Sequence, residues 1–588
     1  MNNRPRHHTR LLVLVLLAAL WPLTAQADRC GRPATGIHQV QSAGGQSQLV
    51  GESVTVEGIL TRDARYQGGF DGFYLQQADA EADDDPATSE ALFIYTNRQT
   101  GRVGQRLRIT GTIKEYHGLT EMVSVQDLLV CGEGRMPEPE AVSLPWSQPP
   151  ESLENMRVRF TEPLTVIEHY QLAVYGELTL AAGDQTTGTE LFPPGPQAKT
   201  HSRQNQHQRI VLDDGRKVRH PEPVPWPPGG LTPDNPVRAG DRIGQLAGIL
   251  DYRFGQWRLH PDADPEFTSR NSPRPVPPPP PGQAIRVMAL NLQNYFNGDG
   301  RGGGFPTDRG AETVSGFQKQ KHRLATLVQQ SNADILAVSE LENDGYGRYS
   351  AIAELADSLG PEWQFVKTPG QDGGDAIRTA LLYRSDRVNT HGQPRRLTSG
   401  RFGHSSRPPV SQRFSRAGQT VQIRVVVPHL KSKSCRNASG ANQDRDDGQG
   451  CFSQRRVRET RAILAWLETL PVPEQLVGTL IAGDLNSYAR EAPLKQLEDA
   501  GYHSLVHEFH RCGDSGCRQY SYRYKGERGS LDYLLASPGL RQRATSARAW
   551  NVNADEPRAL TRLPARPATG PWRASDHNPV FTDLDLAD

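Results

Sequence analysis

Apolar and polar residues alternate with a period of two in a series of short runs between turn residues: SVTVEGIL (53–60), GFYLQ (72–76), ALFIYT (91–96), RLRITGTI (106–113) and MVSVQDLLV (122–130). The same texture continues through MRVRFTEPLTVIEHY (156–170) and GELTLAAG (176–183). That period predicts half-buried strands and an all-β upstream half. The prolines of 266–284 cannot build a core and read as a stiff spacer. Beyond them, apolar runs such as IRVMAL (285–290), ADILAVSEL (333–341), ALLYR (380–384), VQIRVVV (421–427), QLVGTLIAG (475–483) and LDYLLAS (531–537) are interleaved with helix-period stretches. The helical segments are FQKQKHRLATLVQQ (317–330), YSAIAELADSLG (349–360), RRVRETRAILAWLETL (455–470) and PLKQLEDAG (493–501). Strand and helix in alternation predict a layered α/β domain.

These patterns divide the chain into a leader (1–27), an OB-like β domain (28–150), a second small β-rich domain (151–265), the proline-rich linker (266–284) and an α/β domain (285–588). GQRLRITGTIKEYHG (104–118) is echoed by GDRIGQLAGILDYRFG (240–255) with one residue inserted, which predicts two related small barrels. Such barrels bind single strands through an exposed strand face, or serve only as passive spacers. The acidic stretch ADAEADDDPATSE (78–90) reads as a solvated loop, with calcium binding as an alternative.

The leader adds a compartment. It carries basic residues, the apolar run LLVLVLLAALWPL and the small-residue pattern Ala25-Gln26-Ala27, which together predict a cleaved secretory signal. The run is short for a membrane span of about 20 residues, so no stable membrane insertion is expected after cleavage. Export places the chain in the medium, in the periplasm or at the cell surface, where thiols persist as disulfides. The cysteines pair most simply as Cys30 with Cys131, Cys435 with Cys451 and Cys512 with Cys517, among about 15 formal connectivities. A metal site built on Cys512 and Cys517 with His507 and His510 is the alternative for the last pair. A formal charge of +1 excludes a generally cationic nucleic-acid sponge, so an anionic substrate needs local clusters or a metal.

Polar residues recur where the apolar runs of the α/β region end: Asn291 in LNLQN, Glu340 in SELEN, His429 in PHLKSK, Asp484 and Asn486 in GDLN, Asp532 in SLDY, and Asp576 and His577 in SDHNPV. Singly each is a helix cap or a core histidine; together they form an improbable set of caps. Water attack on a phosphodiester requires such a set, because the ester is anionic and repels the nucleophile. Glu340, Asn291 and a late aspartate suit a hard cation, Mg2+ or Mn2+. Asp484 and Asn486, two apart on a strand, are expected on one face as water-holder and positioning partner, with Gly483 leaving room for substrate. His577 with Asp532 suits the phosphate, and His429 the leaving oxygen. Lys431 and Lys433 are expected contacts to backbone phosphate, or else ordinary surface charge.

The order of these motifs resembles that of the endonuclease/exonuclease/phosphatase superfamily over nearly all of 285–583. NYFNGDG, DRGAET, ELENDG, DAIRTALLYR, SRPPVSQRF, HLKSKSC and GANQDRDDGQGC further resemble the ExeM/NucH type of secreted bacterial endonuclease. The resemblance implies a four-layer α/β/β/α sandwich with two packed mixed sheets, divalent-metal dependence, and products ending in 5′-phosphate and 3′-hydroxyl. It also implies Glu340, Asn291 and Asp576 on the metal side, Asp484 and Asn486 at the water, and His577, Asp532 and His429 at the phosphate. Pro428 departs from the family, which usually carries asparagine before this histidine. The expected partner is extracellular DNA, with RNA as the other polynucleotide, met by a monomer; a structural Ca2+ near Asp444 to Asp447 stays open. Two other readings carry less. GDSG (513–516) lacks the histidine segment of a serine protease that would use Ser515. A phospholipase-type relative acting on sphingomyelin, or a non-catalytic matrix protein, would have to reuse or idle the same acids.

Overall fold

In the computed structural model the described residues are 29–587, without 84, 272–274, 371, 403–405, 513–515 and 562–569. The expected signal sequence (1–27) and Ser515 lie outside them.

The upstream alternation builds a closed five-stranded barrel. Around it run Ser53–Asp63, Gly72–Gln76, Ala91–Tyr95, Leu119–Glu133 and Gln105–Tyr116, the last returning to the first. Ala91–Tyr95 and Leu119–Glu133 are parallel; the other pairs are antiparallel. Every second side chain points inward, so Val56, Phe73, Leu75, Leu92, Ile94, Leu107, Ile109 and Met122 fill the interior.

The echoed segment does not close a second barrel. It lies in a nine-stranded sheet that runs from Glu266–Thr268 at one edge to Glu140–Val142 at the other. The extra residue of the echo is where the two copies part: Gln245 takes a left-handed φ of 46°, and the single long strand of the barrel becomes Arg242–Gly244 and Ala247–Arg253. The predicted linker also shortens. Glu266–Thr268 pairs with Arg242–Gly244, and the amides of Arg270 and Asn271 donate to Asp241, so 266–271 belongs to the sheet.

From Ile285 the expected layers form. One six-stranded sheet orders Trp363–Phe365, Ile377–Arg384, Ile335–Glu342, Ile285–Tyr295, Val580–Leu584 and Ala544–Ala549. The other orders Val388–Arg396, Val410–Arg416, Gln422–Val427, Leu476–Asp484, Asp532–Ala536 and His503–Ser504. Val287, Ala289, Val425, Val427, Leu480 and Leu534 meet between the sheets. Their alternate neighbours face outward: Met288, Leu290 and Val338 pack on helices Val314–Ser331 and Ala351–Leu359, while Val426, Ile481 and Leu535 pack on Ser453–Glu468 and Ala492–Asp499. Strands buried on both faces explain the unbroken apolar runs in the sequence. Each such side chain taken from water contributes about 1.5–3 kcal/mol.

The halves are joined by backbone. Gln185–Thr186 of the upstream half lies parallel to Glu527–Gly529, which pairs in turn with Tyr522–Tyr524, making a three-stranded sheet that spans both. Arg523 reinforces it by donating to Asp184 and Asp555. All three expected disulfides are present, Cys30–Cys131, Cys435–Cys451 and Cys512–Cys517. Among the described residues no helix is long and apolar enough to cross a membrane.

Candidate active site

The strand-end residues converge, and irregular backbone aims them. Where Ile285–Tyr295 runs beside Ile335–Glu342, the register slips between Asn291 and Tyr295. It slips again between Val338 and Leu341 against the neighbouring strand. Glu340 sits in the second slip with φ 58°, and Gln293 and Asn294 in the first at 54°. Such bulges redirect a side chain that regular pleating would send into a layer. The Asn294 amide donates to Glu340 at 3.0 Å, and the Asn291 side chain donates to Asp484 at 3.1 Å while accepting from the Gln293 amide at 2.9 Å.

Asp484 ends Leu476–Asp484 directly opposite Asp532, the first residue of its partner strand, and lies beside His429 on the other flank. Asp532 accepts from His577 Nδ1 at 2.6 Å, and one oxygen or nitrogen of each of Asp484, Asp532 and His577 lies within 4.8 Å of the others. Burial pushes the Asp484 carboxyl up to about 7, and the facing Asp532 charge adds to the rise. Glu340 is likewise raised, by burial and then by the Asp576 charge. For His577 burial would favour the neutral ring, but Asp532 outweighs it and raises the imidazole to about 10. The Tyr522 ring covers His577 at 4.5 Å between centroids.

Several expectations change in detail. Asn486 does not share a strand face with Asp484: the strand ends at Asp484, and Asn486 turns to a left-handed φ of 46°. There its amide donates to Asp484 at 2.8 Å, and its side chain donates to the Leu430 carbonyl at 3.0 Å. Gly483 makes room for the chain itself and not for substrate, because a Cβ there would stand 2.4 Å from the Pro428 carbonyl oxygen. His429 is buried, and burial followed by the Arg407 charge holds it well below the usual imidazole range. It is therefore a neutral neighbour of Asp484, 3.5 Å away, and a poor store of a proton for a leaving group.

Neither lysine is an exposed strand-edge charge. Lys433 is tied to Glu491 and covered by Tyr488, and burial brings its ammonium down to about 8. Lys431 is half-buried with its amine 5.0 Å above the Phe452 ring. Asp446 pairs with Lys199, and Asp447 accepts from Gln449, so these carboxylates are engaged within the fold. Among the described residues, Asp484, Asp532 and His577, and in the barrel His38, Asp83 and Glu90, each gather three ligand-type atoms within 4.8 Å of one another.

The sequence reading missed Arg407, which donates to His429 at 3.3 Å and to the Leu430 carbonyl at 2.8 Å. It also missed Ser521, whose hydroxyl accepts the Leu531 and Asp532 amides, and Tyr522. Arg407 stands in a motif that carried the resemblance; nothing in SYRY marked the tyrosine.

The donor set fits a hard divalent cation. Glu340 lies beside Asn291 and within the field of Asp576, and the buried Asp532 Oδ1 has no hydrogen-bond partner among the described residues. His577, kept protonated by Asp532, is no ligand in that state.

Residues 289–577 match the family described as Endonuclease/Exonuclease/phosphatase, and 149–272 match a domain of unknown function. Similar solved structures include the human Nocturnin catalytic domain with bound sulfate (16% identity, TM-score 0.35, covering 52% of this chain and 96% of that one). A mannosyl-6-phosphatase from Bacteroides thetaiotaomicron has 16% identity and TM-score 0.34, covering 51% and 99%. D. rerio TDP2 complexed with single strand DNA product has 14% identity and TM-score 0.33, covering 51% and 99%. No curated protein sequence matches the chain.

Proposed function

We infer, with residues 289–577 assigned to the endonuclease/exonuclease/phosphatase family as the premise, that the protein is an exported, divalent-metal-dependent endonuclease acting on extracellular DNA. The observation that carries this reading is the meeting of Asp484 with the 2.6 Å Asp532–His577 pair at the strand ends, where the Glu340 and Asp576 charges also act. Glu340 and Asp576, with the Asn291 amide oxygen, would hold the cation, and a set of oxygen donors suits Mg2+ or Mn2+. When bound, the cation neutralises charge on the phosphodiester.

The chain's own groups do the rest. A carboxyl with affinity for a proton near neutrality lets Asp484 orient an attacking water and accept its proton. The Asn486 amide and the Asn291 side chain fix that carboxylate in place. With Nδ1 committed to Asp532, His577 presents Nε2–H to the phosphate oxygens, where charge grows in the transition state. Asp532 sets that orientation. Lys431 is the remaining candidate for a backbone phosphate.

The barrel's closed strand order, with Ala91–Tyr95 and Leu119–Glu133 parallel, supports the OB-like reading of 28–150. Three disulfides support an oxidising compartment.

Purified protein incubated with supercoiled plasmid, linear DNA, RNA or sphingomyelin, in Mg2+, Mn2+ or EDTA, tests the proposal. Nicking of circles in Mg2+ or Mn2+ that EDTA abolishes is the expected result. Phosphocholine release without nicking would move the activity to phospholipids, and inertness towards every substrate would leave a non-catalytic binding role.

A further inference from the structure

A cleft of about 990 Å3 lies between the nine-stranded sheet and the α/β domain, lined from one side by 168–171, Glu177, 209–211 and 255–257 and from the other by 522–525, Ala554, Arg558 and Arg573. It reaches the proposed active site directly, since Gln293, Tyr522 and Asp576 line it as well. We propose that this cleft is a binding track for a single-stranded flank of the polynucleotide, with the second β-rich unit as one wall of the substrate site.

Three features of the lining favour that occupant. The first is a line of aromatic faces leading outward from His577. Tyr522 covers the imidazole, and Tyr524 follows with its plane 12° from that of Tyr522 at 6.5 Å. Tyr524 is 56% exposed, and across the cleft Tyr170 is 55% exposed; exposed rings are the platforms on which bases stack without regard to sequence.

The second feature is uncommitted positive charge. Arg558 lies over the Tyr170 ring, and Lys525 over Tyr524. Among the described residues neither has a carboxylate partner. Arg573, on which the Asp576 charge acts, keeps a buried Nε with no hydrogen-bond partner among the described residues. Besides Asp576 two acids line the same space, and both are occupied: Glu168 accepts the His169 and Tyr170 amides, and Glu177 pairs with Arg258 at 3.1 Å. Unpaired cations beside exposed rings form the combination that follows a sugar–phosphate strand and its bases.

The third is continuity. The three-stranded sheet that joins the halves carries Tyr522 and Tyr524 on its Tyr522–Tyr524 strand, so the track and the pocket share one rigid ribbon. A strand whose scissile phosphate lay at His577 would continue over these rings into the cleft.

The assignment rests on the polynucleotide reading above, and binding separates the two. Fluorescence anisotropy of a labelled oligothymidylate is measured in EDTA, so that no cleavage intervenes, with the full chain and with Tyr170→Ala/Tyr524→Ala, Arg558→Glu and Lys525→Glu. Loss of two stacking platforms is expected to weaken binding at least about tenfold. Each charge variant is expected to reduce the slope of log affinity against log salt by roughly 0.7 or more. Binding by the variants equal to that of the unaltered chain, or no binding by the unaltered chain, overturns the track. Should the tyrosine pair unfold the protein, seen as lost near-UV dichroism, the salt slopes of the two charge variants decide. If the oligonucleotide binds as expected but neither DNA nor RNA is cut in Mg2+ or Mn2+, the nuclease reading falls and the track stands.

Discussion

Two groups of buried charges, one where the barrel meets the nine-stranded sheet and one at the strand ends of the α/β sandwich, are built on opposite principles. In the first, Asp251 accepts from Arg253 at 2.7 Å and lies 3.0 Å from His260, while Arg258 is shared by Asp213 and Glu177. Arg253 is further sandwiched by the Phe70 and Phe93 rings at 4.5 and 4.3 Å. Burial opposes the Asp251 charge, but Arg253 and His260 outweigh it and hold the carboxyl well below its usual range. In the second group, like charges face each other across the Asp484–Asp532 pair and the Asp484 carboxyl is pushed up. The first arrangement compensates charge to hold two units together. The second leaves negative charge unsatisfied, ready for a cation and a proton.

The largest effect that would break this contrast is catalytic. Asp484→Ala is expected to lower kcat by about a thousandfold, within the range for removal of a positioned base, while the melting temperature holds or rises because a repelled carboxylate is gone. A drop of many degrees would make Asp484 a structural residue like Asp251. Next in size is Asp251→Ala. It strands Arg253 and His260 in the interior and is expected to cost about 3–5 kcal/mol in denaturant unfolding, without entering the chemistry.

The smallest effect concerns Glu154, buried at the same contact and accepting the Thr120 amide at 3.1 Å. Burial first, and Glu151 second, raise its carboxyl well above the usual range, and Glu151 itself is raised to about 7. A carboxyl whose folded value exceeds the unfolded one contributes fully below about pH 4 and loses that contribution as pH climbs through the folded value. Glu154→Gln is therefore expected to match the unaltered chain near pH 4 and to melt progressively later than it towards pH 8. A melting difference independent of pH would place Glu154 among the compensated charges.

Much of this architecture is legible in the chain. The strands of the barrel and the central strands of both sheets follow from unbroken or alternating apolar runs, because those runs report burial directly. Val388–Arg396 is not legible: as an edge strand with mostly exposed side chains, it has no reason to carry an apolar pattern. The site was readable as a set of residue types at strand ends and much less as geometry. Glu340 and Asn486 owe their directions to left-handed backbone, which no hydrophobic period encodes. Lys433 looked exposed because its burying partners, Glu491 and Tyr488, lie more than fifty residues away in the sequence.

The parallel pairing of Gln185–Thr186 with Glu527–Gly529 bears on how such a protein can be inherited and rebuilt. Its two halves are not interchangeable cassettes. Shuffling a foreign upstream half onto this sandwich would leave the Glu527–Gly529 edge unpaired, one strand away from the Tyr522 that covers the imidazole, unless the newcomer brought a matching strand, so recombination at the proline tract must conserve that seam. Divergence in the upstream half is thereby tethered, through a few backbone hydrogen bonds, to the chemistry downstream.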